Sequence, residues 1–124
     1  SAKDTGGQLS VFEYTGLGKV GPMLHIHFEQ DEIFMVMEGE YRFVVGEDTH
    51  VLKAGQTIFL PRGIPHTWIQ LTDRGKLIYF LQPAGKMEEF FSYMNKLTER
   101  PGPEEMDRIH AEHQMKVVGP PLTL

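Results

Sequence analysis

Met23-Leu24-His25-Ile26-His27-Phe28-Glu29-Gln30-Asp31-Glu32-Ile33-Phe34 decides the reading of this chain. In an extended segment successive side chains point to opposite faces, so His25 and His27 share one face while Leu24, Ile26 and Phe28 share the other. A second strand is expected to begin at Glu32, with Glu32, Phe34 and Val36 on one face and Ile33, Met35 and Met37 on the opposite one. Both faces are apolar beyond the carboxylate. A carboxylate heading such a buried strand is costly unless it is paired or bound to a cation, and the two imidazoles point to a cation. Asp31 is the rival carboxylate, but alternation turns it away from Glu32 and toward the surface.

A fourth donor lies further on, in Gly55-Gln56-Thr57-Ile58-Phe59-Leu60-Pro61-Arg62-Gly63-Ile64-Pro65-His66. His66 opens a strand whose alternate residues are Trp68 and Gln70. If this strand lies beside His25 and His27, three imidazoles and one carboxylate converge on one point. Such a set suits one divalent transition metal, iron, manganese, cobalt, nickel, copper or zinc, and leaves positions open for water or substrate. His50, His110 and His113 stand apart from this set; His110 and His113, three apart on an expected helix, are expected to be solvated. Arg62, in the turn before His66, is expected to be solvated too.

Outward from these segments, short apolar runs alternate with turn residues. Strands are expected at 8–14, 23–28, 32–37, 41–45, 49–52, 57–60, 66–71 and 77–82, separated by Gly39, Gly46, Gly55, the Pro61 to Pro65 segment and Asp73 to Gly75. Eight strands around one apolar interior make an all-β jelly roll. Beyond Pro83 the period changes. Phe90, Met94 and Leu97 recur at helical spacing, Pro101-Gly102-Pro103 breaks the helix, and a second helix is expected from Glu104 to about Met115. Val117 to Leu122 reads as an extended strap. Residues 1–82 are thus expected to form the barrel and residues 83–124 a helical extension packed on it, within the same domain.

Composition removes other classes. The chain has 124 residues and no cysteine, which excludes disulfides, thiolate metal sites and a cysteine nucleophile. A formal charge of -5 with scattered basic residues argues against nucleic acid as a partner. No apolar run approaches the roughly 20 residues of a membrane span, and Ser1 to Gly7 is polar, so a soluble, cytoplasmic protein is expected.

At the motif residues the chain resembles the cupin superfamily. The first cupin motif, Gly-x5-His-x-His-x3-4-Glu-x6-Gly, is matched by His25, His27, Glu32 and Gly39, although Lys19 stands at the leading glycine position, between Gly18 and Gly21. The second, Gly-x5-Pro-x-Gly-x2-His-x3-Asn, is matched by Gly55, Pro61, Gly63 and His66, with Gln70 in place of Asn. The resemblance covers roughly residues 8–82 and implies a double-stranded β-helix (jelly-roll) barrel, with His25, His27, Glu32 and His66 as metal ligands and a homodimer as the assembly. The Gly21 to His27 entry, the Asp31 to Phe34 step and the Val118 to Leu122 end resemble small quercetin-dioxygenase-like members.

The leading expectation is therefore a metal-dependent, dioxygenase-like enzyme on a small aromatic or polyhydroxylated molecule. Glu32 would double as proton acceptor, and Phe34, Phe59, Trp68, Gln70 and Tyr79 are candidate substrate contacts. Two alternatives stand beside it: a metal-dependent isomerase or lyase on a sugar or keto acid, and a non-catalytic module that binds a small molecule.

Overall fold

The computed structural model describes residues 3–99 and 101–124; Ser1 and Ala2, with which the expected barrel region begins, and Arg100 lie outside the described residues. Among the described residues, nine strands and two helices follow in the order β1 (Ser10–Gly16), β2 (Met23–His27), β3 (Asp31–Glu38), β4 (Glu40–Val45), β5 (Asp48–Lys53), β6 (Thr57–Leu60), β7 (His66–Gln70), β8 (Gly75–Gln82), α1 (Met87–Lys96), α2 (Pro103–Glu112) and β9 (Met115–Pro121). They form two antiparallel sheets, one ordered β1-β8-β3-β6 and the other β5-β4-β7-β2-β9. This is the expected jelly roll with two short helices near the C-terminus.

Alternation builds the interior. In β3, Glu32, Phe34 and Val36 are buried whereas Ile33 and Met37 are exposed. Phe34, Val36, Tyr41, Phe43, Leu52, Leu60, Trp68 and Leu77 form the main core between the sheets. Inward aromatics stack across strands, with the Tyr79 ring 5.2 Å from Phe12 and 4.9 Å from Phe34. A second cluster, Leu81, Met87, Phe90, Ile109 and Met115, joins both helices and β9 to the barrel.

The C-terminal region departs from expectation in two respects. The second helix ends at Glu112, and Met115 already belongs to a strand. The supposed strap is β9, paired antiparallel with β2 so that Val117 faces His25 and Met115 faces His27. Its prolines fit because β9 lies at the edge of its sheet, where a missing N–H costs no ladder bond.

Gly21 explains how the chain enters β2 despite the displaced motif glycine. A Cβ there would collide with the carbonyl of Trp68, so only glycine permits this backbone approach. Thr67 Oγ1 donates to Pro22 O at 2.7 Å on the same side.

Candidate metal centre and its cavity

Two registers assemble the centre. His25 pairs directly with His66 between β2 and β7, and Glu32 heads β3 in the facing sheet. The 61–65 turn is pinned on both sides: Gly63, in the left-handed region at φ 78°, donates its N–H to His27 O at 2.8 Å, while Arg62 N donates to Asp31 Oδ1 at 2.9 Å. The Arg62 guanidinium also donates to both Asp31 oxygens, at 3.3 and 3.2 Å. Asp31 therefore turns away from Glu32 as expected, but Arg62 is held by it rather than merely solvated. These hydrogen bonds hold the Asp31 carboxyl below its ordinary pKa.

Donor atoms of His25, His27 and His66 lie within 4.8 Å of one another, a three-histidine cluster that could hold a metal ion. The rings are in mutual contact, with centroids 4.5 Å apart for His25 and His66 and 5.2 Å for His27 and His66. His25 Nδ1 sits 2.6 Å from Met23 O and His66 Nδ1 3.3 Å from Ile64 O. A carbonyl only accepts, so each Nδ1 carries the proton and each Nε2 presents a lone pair. Burial, then the neighbouring His66 and His27, lowers the His25 pKa to about 3. Burial, then His66 and His110, lowers His27 to about 3. Both imidazoles are therefore neutral donors at neutral pH.

Glu32 stands beside two of the three. Its Oε1 lies 3.1 Å from His66 Nε2 and 3.7 Å from His27 Nε2, with all three side chains buried. Glu32 Oε1 and His66 Nε2 nevertheless have no hydrogen-bond partner. With the His66 proton on Nδ1, two acceptor lone pairs lie 3.1 Å apart in a buried site, an arrangement that repels unless a cation sits between them. The donor set thus fits a divalent metal of the nitrogen- and oxygen-binding kind.

The centre opens into a cavity of about 370 Å³. Phe34, Trp68, Tyr79 and Tyr14 wall it from the barrel, Met23 and Met115 from β2 and β9, and Met87, Phe90, Phe91, Met94, Met106 and His110 from the helices. Among its described lining residues there is no lysine, arginine or aspartate. Burial first, then the Glu32 charge, raises the Tyr79 phenol above its ordinary pKa, so it stays a protonated donor.

The expected contacts divide. Phe34, Trp68 and Tyr79 line the cavity, but Phe59 and Gln70 do not. Phe59 is 56% exposed on the outer face of β6, because Ile58 and Leu60 take the inward positions. Gln70 is inward but fully buried four residues along β7 from His66, about 13 Å at strand rise. There it accepts from Tyr41 OH at 3.0 Å and donates to Gly16 O and Thr72 O at 3.2 and 2.8 Å, so it fastens the far end of the barrel. His110 and His113 are also corrected: both are buried, and His110 lines the cavity. The missed signal was Met106, Ile109, His110 and His113 at i, i+3, i+4 and i+7, which puts both histidines on the inward helical face.

Fold and site together define a jelly-roll barrel with a three-histidine candidate metal site at one end of its interior. The chain belongs to the cupin family: the cupin domain model, Cupin_2, matches residues 12–81. Among solved structures it is similar to an RmlC-like cupin from Shewanella frigidimarina, with 26% identity, TM-score 0.61, and coverage of 66% of this chain and 72% of that one. It is also similar to TT1209 from Thermus thermophilus, with 26% identity, TM-score 0.58, and coverage of 62% and 74%. A sugar phosphate isomerase of the cupin superfamily from Silicibacter pomeroyi matches at 27% identity and TM-score 0.56, over 64% of this chain and 54% of that one. No curated protein matches the sequence. No helix among the described residues is long and apolar enough to cross a membrane.

Proposed function

We propose that this chain is a metal-dependent, dioxygenase-like enzyme acting on a small aromatic or polyhydroxylated organic molecule, with His25, His27, Glu32 and His66 as the metal ligands. One observation carries this reading: the imidazole cluster opens into an aromatic and methionine-lined cavity whose described lining holds no lysine, arginine or aspartate. Flat apolar molecules gain by burial and ring stacking there, whereas a phosphate or carboxylate would find no fixed cation in the wall. A bound redox-active divalent metal supplies Lewis-acid and electron-transfer chemistry at this end of the cavity. The side chains do the rest. Phe34, Trp68 and Tyr79 hold the ring and exclude water, and the Glu32 carboxylate accepts a proton from an acidic substrate hydroxyl beside the imidazoles.

The similarity to a sugar phosphate isomerase favours the alternative of isomerase or lyase chemistry, but the cavity wall weighs against a phosphorylated sugar. The test is oxygen consumption by the chain loaded separately with Fe(II), Mn(II), Ni(II) and Cu(II), across a panel of catechols and polyphenols. A parallel arm measures isomerisation of sugar phosphates under argon. Metal-dependent oxygen uptake with a phenol supports the proposal; turnover only in the anaerobic arm replaces it with the isomerase reading.

The same reading includes a homodimer. Support comes from the outer face of the four-stranded sheet, where Val11, Phe80, Ile33 and Phe59 pair across β1, β8, β3 and β6 as an apolar row. Light scattering on the wild type and on Phe59→Asp measures it: a dimer that dissociates in the variant agrees with this assignment, and a wild-type monomer refutes it.

A further inference from the structure

The cavity has a polar group outside its three-histidine cluster and Glu32 that the cupin motifs do not contain. His110, on α2, is only 7% exposed and lines the cavity, with its ring edge-on to Phe90 at 5.1 Å. Its Nδ1 lies 2.8 Å from Met106 O, so that nitrogen carries the proton and donates within the helix. Nε2 is left with a lone pair and no hydrogen bond to a described residue. His113, one turn on, makes the equivalent bond to Ile109 O at 2.7 Å, yet it does not line the cavity. A mostly apolar wall gives a ligand few places to be read by hydrogen bonding, and an acceptor on that wall is one of them.

We propose that His110 is the ligand-orienting residue of this cavity: its Nε2 accepts a hydrogen bond from a hydroxyl of the bound molecule other than the one that meets the imidazole cluster. The ligand class follows, on the reading above, as a flat aromatic with two separate hydroxyl groups, one for the centre and one for His110. The helical extension then selects the substrate, and the barrel supplies the reactive end. Rejection of an analogue that lacks the second hydroxyl follows from leaving Nε2 unpaired.

The test is calorimetric titration of the zinc-loaded chain with 2,6-dihydroxynaphthalene and with 6-methoxy-2-naphthol, in wild type, His110→Phe and His110→Gln. Phe keeps the ring and its contact with Phe90 but removes the acceptor; Gln restores an acceptor. The expected result is about tenfold weaker binding of the diol to His110→Phe, little change for the methoxy compound, and recovery of most of the diol affinity in His110→Gln. Unchanged diol binding in His110→Phe overturns the proposal, and so does equal weakening for both compounds, which would mark a packing role. Failure of the wild type to bind either compound overturns instead the aromatic-ligand reading on which the proposal rests.

Discussion

Glu32→Gln should stabilise the metal-free protein and at the same time shrink the further stabilisation that metal adds. In the metal-free chain Glu32 Oε1 faces His66 Nε2 at 3.1 Å, and neither atom has a hydrogen-bond partner. A glutamine of the same shape can turn its amide N–H toward that lone pair, which removes a buried negative charge and makes a hydrogen bond. Relieving an unsatisfied buried acceptor is worth about 1–3 kcal/mol. For a chain of this size that is a rise in Tm of about 4–10 °C in EDTA at about pH 8. The increment that metal adds changes the other way. At a free metal concentration of 100 times the wild-type Kd, binding stabilises the wild type by about 2.7 kcal/mol. If loss of the carboxylate ligand weakens affinity about a hundredfold, the same concentration stabilises Glu32→Gln by only about 0.4 kcal/mol. Differential scanning calorimetry of both proteins, with EDTA and across a zinc titration, measures all four quantities. A variant that is destabilised without metal, yet keeps the full metal-induced shift, would refute both the lone-pair clash and the role of Glu32 as a ligand.

Three further perturbations follow from the same contacts. Without metal, acid should destabilise the fold: the His25 and His27 pKa values are held at about 3 against an unfolded value of 6.5, so between those limits only the unfolded chain takes up these protons. Stability then falls with decreasing pH by up to about 1.4 kcal/mol per unit for each histidine, and urea midpoints that coincide at about pH 7.5 and about pH 5 would contradict it. Gly21→Ala places a methyl group against the Trp68 carbonyl, and because backbone must shift, a loss of about 2–3 kcal/mol in urea denaturation is expected; a neutral result would place the entry loop elsewhere. Gln70→Leu strands Tyr41 OH and the carbonyls of Gly16 and Thr72, so it should lower stability by about 2–4 kcal/mol while leaving the Kd for 2,6-dihydroxynaphthalene on the zinc-loaded protein unchanged; weaker binding by a protein still fully folded would return Gln70 to the cavity wall.

What the sequence disclosed and what it hid divide along a physical line. Period-two alternation is local, so the shared face of His25 and His27 and the inward turn of Glu32 and Phe34 were legible from a few residues each. Turn glycines and prolines marked the strand ends for the same reason. Phe59 failed because a short strand offers few residues to set the inward phase, and Ile58 and Leu60, both apolar, held the inward side. For Gln70 the face was right and the position along the strand was not. Alternation fixes which way a side chain points but says nothing about which end of a barrel it occupies.

The larger omission concerns the C-terminal segment and bears on function. Pro120 and Pro121 suggested a strap because a proline cannot donate to a ladder, yet β9 is an edge strand, where that defect is tolerated. Its pairing with β2 spans some ninety residues of sequence and cannot be read from either segment alone. That pairing positions the rest: with β9 held against the histidine strand and α2 ending just before it, Met106 and His110 are brought to the cavity. The two motifs therefore supply the candidate metal centre with Phe34 and Trp68 beside it, while the rest of the wall includes residues of α1, α2 and β9 outside them. Two cupins with the same motif residues can thus differ in cavity lining through this C-terminal part alone, and for this chain it supplies methionines, phenylalanines and one buried imidazole rather than lysine or arginine.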